Sequence, residues 1–169
     1  MADPTTTALV AVAYLAGHAV GDYWAQTDHQ ASHKSRPGWA GRRACAAHVG
    51  ALTAAHTVTL ALVLAATATS VHPLSAALGL TITAATHYWA DRRWTLNALA
   101  TRITHTHEFR VAGGGMAHLD QSWHTWWIVP AALATAAPPA GAALVATTAA
   151  LVLAACHATA VRASPPPHH

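Results

Sequence analysis

Residues 44–90 read ACAAHVGALTAAHTVTLALVLAATATSVHPLSAALGLTITAATHYWA and contain no Asp, Glu, Lys or Arg. A transmembrane helix needs about 20 mostly apolar residues. This stretch is long enough for two, and Thr69-Ser70-Val71-His72-Pro73 near its middle supplies the turn between them. Working outward, residues 4–21 are also free of formal charge and fit one span. Residues 121–161 fit two more, broken at Pro138-Pro139-Ala140-Gly141. The pattern predicts an all-α polytopic transmembrane helix bundle of about five spans, at residues 5–26, 44–68, 73–92, 117–137 and 140–161.

The composition of the whole chain agrees. Its 169 residues include only 9 Lys+Arg and 6 Asp+Glu, well below the share of about a quarter in soluble domains, and too apolar for a disordered chain. The mean hydropathy of +0.28 is modest because Ala, Thr and Gly stand where Leu and Ile are usual. A soluble Ala-rich bundle would need a charged face on each helix, which these stretches lack. Nine scattered cations make no nucleic-acid footprint, and two cysteines make no disulfide framework. No basic region precedes the first apolar stretch, so no cleavable signal peptide is expected.

The cations give the orientation. Lys34, Arg36, Arg42 and Arg43 fall between spans one and two, Arg92, Arg93, Arg102 and Arg110 between spans three and four, and Arg162 after span five. All lie on one side. By the positive-inside rule that side is the cytoplasm, with the amino terminus outside and the carboxyl terminus inside. Trp24, Trp39, Trp89, Trp94, Trp123, Trp126 and Trp127 map near the same boundary, as an interfacial belt or as walls of a site. Residues 27–43 read as a polar loop, 94–111 as an amphipathic surface helix, and Gly113-Gly114-Gly115 as a linker. Residues 1–163 form one transmembrane domain, and residues 164–169 read as a disordered tail. The bias to Ala, Arg and Thr, with a single lysine, points to a high-GC bacterium or its phage and to a multi-pass protein of the bacterial plasma membrane.

Fourteen histidines need a reason. His18-x-x-x-Asp22 lies on span one, His87-x-x-x-Asp91 on span three and Asp120-x-x-x-His124 on span four. Four residues apart, each pair shares a helix face. The third pair runs in reverse order on a helix that runs in the reverse direction, so every Asp lies toward the cytoplasm and every His deeper. Span two adds His48. Ionisable groups inside a membrane are costly and face the bundle interior, paired or functional. Imidazole and carboxylate ligands suit a divalent metal such as zinc, iron or manganese. The candidate metal ligands are His18, Asp22, His48, His87, Asp91, Asp120 and His124. They serve one ion with second-shell carboxylates, or two ions. The bland reading makes the pairs hydrogen-bonded helix glue. Gln26 extends the first stripe. His56, Cys45 and Cys156 are weaker candidates, and Gly17 and Gly21 read as a close-packing face.

The run Ala16-Gly17-His18-Ala19-Val20-Gly21-Asp22-Tyr23-Trp24-Ala25-Gln26-Thr27-Asp28 resembles the amino-terminal signature of an uncharacterised bacterial and phage membrane-protein family, domain of unknown function 3307. His48, His87-Tyr88-Trp89-Ala90-Asp91 and Leu119-Asp120-Gln121-Ser122-Trp123-His124 resemble its later blocks, over residues 14–127. The resemblance implies a helical membrane bundle and no established activity. A more distant similarity is to membrane-bound metal-dependent hydrolases. The leading expectation is a metal-dependent hydrolase with a cytoplasm-facing centre acting on an interfacial substrate. The alternatives are a metal or proton carrier, and a non-enzymatic accessory membrane protein. The expected partners are the lipid bilayer and a second copy or another membrane protein, and no nucleic acid.

Overall fold

The computed structural model describes residues 1–163; the predicted disordered tail, residues 164–169, lies outside them. The described residues are helical throughout, joined by short turns and without strands. Helix α1 runs Pro4–Val20 and continues into a π-helical turn, Gly21–Ala25. It is followed by α2 (Asp28–His33), α3 (Gly38–Ala66), α4 (Pro73–Asp91), α5 (Trp94–Ile103), α6 (His107–Ala112), α7 (Gly115–Ala136) and α8 (Pro139–Ala163). Two helical segments, Gly38–Ala66 and Pro139–Arg162, are long and apolar enough to cross a membrane among the described residues.

Local chemistry sets the helix starts. Asp3 accepts from the Thr6 amide at 2.7 Å ahead of Pro4, and that bond holds its carboxyl below the usual range. His72 does the same for α4, its Nδ1 accepting from the Leu74 amide at 3.2 Å ahead of Pro73. The segment read as a polar loop contains a short helix instead. Thr27 and Gln30 form a capping box that starts α2, and α3 begins at Gly38, well before the apolar stretch does. The surface helix read over 94–111 is two helices, α5 and α6, bent at residues 104–106. Arg110 holds them together through the Asn97 side chain at 2.9 Å.

Helices α1, α3, α4 and α7 surround a common interior, and α8 lies outside against α4, α5 and α7. Val10, Tyr14, Leu60, Ile82, Trp127, Ile128 and Ala131 fill the half of this bundle away from the His/Asp pairs. The tryptophans divide. Trp24, Trp39, Trp94 and Trp126 are exposed. Trp89 and Trp123 stack at 4.7 Å inside the fold, each tied by its indole N–H, to His157 and to the Thr86 carbonyl.

The backbones come together where side chains are smallest. A methyl group on Gly17 would lie 2.6 Å from Thr59 Oγ1 and 2.8 Å from the His56 Cα, and one on Gly21 would meet Leu52. One on Gly79 would overlap Thr135 Oγ1 and lie 2.7 Å from the Ala131 carbonyl oxygen. Small residues at crossings are how helices pack without a hydrophobic drive between them. Gly17→Val and Gly79→Val should each cost about 2–3 kcal/mol by overpacking. Gly50→Ala, whose methyl meets nothing within 4 Å, should be neutral or slightly stabilising. Thermal unfolding of the three variants in one detergent checks this ordering.

Candidate metal centre

The π-helical turn is the first device of the site. A wider turn adds a residue to one helical revolution, and such turns recur where a side chain has to be re-aimed. Asp22 is its second residue. One carboxylate oxygen, Oδ2, lies 3.5 Å from His18 Nε2 on the preceding turn, while Oδ1 reaches across to α3 and α4. His48 of α3 and His87 of α4 are buried, with Nε2 atoms 3.1 Å apart. Asp22 Oδ1 lies 3.2 Å from the first and 3.3 Å from the second. Asp91 Oδ2 lies 3.3 Å from the first and 3.2 Å from the second.

Four ligand atoms therefore face one another, and five of their six separations fall between 3.1 and 3.3 Å. His48, His87 and Asp91 thereby form a buried group of two nitrogens and an oxygen able to hold a metal ion, with Asp22 Oδ1 beside the two nitrogens. Imidazole nitrogen and carboxylate oxygen are both zinc ligands. The same atoms make poor hydrogen-bonding partners. Asp22 Oδ1 and Asp91 Oδ2 are buried and have no hydrogen-bond partner among the described residues, although two imidazole nitrogens lie close to each.

The other carboxylate oxygen of Asp91 is held by Lys34. Its Nζ lies 2.7 Å from Asp91 Oδ1, and both side chains are buried. Lys34 caps the end of α2 and opens the α2–α3 connection, which Arg92 ties down by donating to the Lys34 and Arg36 carbonyls at 2.5 Å each. Read from sequence, both were loop cations on the membrane surface; here one completes the site and the other clamps the loop that carries it. Gln26, which extends the first stripe, places its amide nitrogen 3.1 Å from each ring nitrogen of His48.

Helix α7 closes the remaining side. Asp91, Asp120 and His124 bring ligand atoms within 4.8 Å of one another, as do His18, Asp22 and His87. His124 stacks on His87 at 3.9 Å between ring centroids, and its buried Nε2 lies 3.5 Å from Asp120 Oδ1 without a hydrogen-bond partner among the described residues. Gln121, given no role from sequence, bridges α7 to α1. Its Oε1 lies 3.2 Å from His18 Nε2 and its Nε2 donates to Asp22 Oδ2 at 3.4 Å. All seven candidate ligands thus gather at one end of the bundle, from four helices.

His56, one of the weaker candidates, lies apart from the ligand atoms. It packs edge-on against Tyr14 at 5.2 Å and stacks with His18 at 6.5 Å. Cys45 points its thiol to the Tyr88 carbonyl at 3.7 Å, and Cys156 is a free thiol of α8. Among the described residues neither belongs to a cluster of metal-binding groups.

Removing one partner of a buried ion pair leaves an uncompensated charge, which costs about 3 kcal/mol or more. Lys34→Met should destabilise the protein by that amount, and adding Asp91→Asn should recover part of the loss, because the stranded charge goes with it. Denaturant unfolding of the single and double variants in detergent measures the coupling.

Compared with known protein families, with curated proteins and with solved structures, the chain matches none. The chemistry of the centre has to come from its own geometry.

Proposed function

We propose that this is a five-span protein of the bacterial plasma membrane, amino terminus outside, whose cytoplasm-facing centre binds divalent metal and hydrolyses an interfacial substrate. The observation that carries the metal is the pair of buried carboxylate oxygens beside two imidazoles. One imidazole can donate to the other across 3.1 Å, but Asp22 Oδ1 and Asp91 Oδ2 then have no hydrogen-bond partner among the described residues. A cation bound beside the rings would meet these oxygens. Charge supports the same reading: Lys34 meets Asp91, whereas Asp22 and Asp120 pair with histidines alone among the described residues, so bound cations would offset their charge. Imidazole nitrogen and carboxylate oxygen together suit zinc, iron or manganese.

The hydrolytic position belongs to a second ion, which Asp91, Asp120 and His124 would hold with three ligands and an open position. Such an ion would supply a water that ionises near neutral pH. The second oxygen of Asp120, the least buried of the three carboxylates, would take that water's proton and return it to the leaving oxygen as the bond to it breaks. His18, held by Gln121, orients Asp22 from behind. The short stretches of α1, α4 and α7 span as part of the bundle, their apolar length shared with the turns at either end. The four sequence blocks extend the proposal to membership in the family of domain of unknown function 3307.

Elemental mass spectrometry of the detergent-purified protein should find about two equivalents of metal. His48→Ala/His87→Ala should lose both, and His124→Ala only the second. Protein that is metal-free and takes up no added zinc would sink the metal reading and leave the pairs as helix glue. Cysteine-accessibility labelling at Ser35 and Ser70 should place them on opposite faces of the membrane.

A carrier is the second reading, favoured by one feature. Beyond the centre lies His56, with neither ring nitrogen partnered among the described residues, and then Tyr14, whose hydroxyl meets Thr135 Oγ1 at 2.8 Å. Proteoliposomes that accumulate zinc, and stop doing so with His56→Leu, would decide for a carrier.

A further inference from the structure

A cavity of about 550 Å³ opens at the end of the bundle beside the centre. Arg93, Trp94 and Asn97 line it from α5, Met116 from α7, and Asp120 of the proposed open metal position forms part of its wall. Asp120 is the one carboxylate of the site with substantial side-chain exposure, 30 % against 8 % for Asp22 and 2 % for Asp91. The cavity is therefore the side from which the centre can be reached.

Its chemistry is that of an anion site. The first turns of α5 and α7 both contribute to its lining, and neither helix start is capped by a side chain among the described residues; of their amides, those of Trp94 and Ala117 bond to the Arg92 and Gly114 carbonyls. Helix starts carry partial positive charge and outward amide groups, and favour phosphate. Arg93 adds a full charge with a planar fork suited to phosphate oxygens. It also sits at φ +55°, a conformation that a non-glycine residue rarely adopts, with its side chain exposed at the cavity rim. The backbone there is fixed by the Thr95 hydroxyl, which donates to the Trp89 carbonyl. Asp120 is the sole acidic group of the lining, and its Oδ1 lies 3.5 Å from the unpartnered, buried His124 Nε2. A metal ion between those two atoms would turn the floor of the cavity from repelling an anion to binding one. Trp94, Leu96 and Met116 supply an apolar flank for whatever the anion is attached to.

From this arrangement we infer that the cavity between α5 and α7 is the substrate port, and that the substrate is a phosphate ester whose phosphate lies between Arg93 and the metal at Asp120 and His124. The inference rests on the proposed metal centre and names its substrate class. Arg93 is a positioning and binding residue, and the ester reaches the port from the lipid surface or from solution.

The test uses the full-length protein in phosphatidylcholine nanodiscs, loaded with zinc, and titrates inorganic phosphate by calorimetry. Metal content is measured on the same samples. Arg93→Gly suits the backbone at φ +55° and so keeps the fold, yet it should weaken phosphate binding by about tenfold or more with metal content unchanged. Arg93→Lys should retain part of the affinity, and chelation of the metal should weaken binding in the wild type. Phosphate bound equally by wild type and Arg93→Gly, or by neither while metal is present, overturns the port. Wild type that holds no metal yet binds phosphate through Arg93 overturns the metal reading and leaves the port standing. Nanodiscs that also contain phosphatidic acid identify the source. Competition with inorganic phosphate assigns a lipid headgroup, and its absence, with phosphate binding intact, assigns a soluble ester.

Discussion

Two imidazole nitrogens that face each other at 3.1 Å, with a carboxylate oxygen on either side, are the constraint around which this bundle is arranged. Such a cluster is costly inside a protein unless each charge is met. The surrounding structure works to meet them. The π-helical turn aims Asp22, Gln26 and Gln121 occupy ring and carboxylate edges, and Lys34 is drawn in from a connection that Arg92 fastens. The rest of the bundle is built mostly from Ala, Gly and Thr and has little bulk with which to force such groups together. Close backbone approach at Gly17, Gly21 and Gly79 does that instead.

The helical character and the turns at residues 69–73 and 138–141 were legible because charge-free stretches and turn chemistry are strong, local signals. So was the convergence of the His/Asp pairs. A spacing of four fixes a shared face, and reversal of order on a reversed helix fixes a shared end. Length and apolarity do not mark α1, α4 and α7 as candidate spans, since they carry the polar residues of the site within their own length. Two helical segments pass that test, α3 in full and nearly all of α8.

What was not legible follows from interactions made at long range. Nothing near Lys34 in the sequence marks it as a partner of Asp91, because the pairing depends on Arg92 binding backbone carbonyls far along the chain. The capping box at Thr27 and Gln30 was readable in principle, but its apolar context is weak and the segment looked like loop. The π-helical turn has no sequence signature at all. It is a response of α1 to the demand on Asp22, and only the assembled centre reveals it.

The order of the ligands along the chain has a consequence for biogenesis. Asp22, His48, Lys34, His87 and Asp91 are all in place once α4 has been made, whereas Asp120 and His124 arrive with α7. These groups can meet while the later part of the chain is still being synthesised. Helix α7 then docks on a surface whose Asp91 is already met by Lys34, and it brings Asp120 and His124 with it. Built in this sequence, the exposed edge of the cluster is the last part to form, and it forms on a chain whose buried part is already assembled.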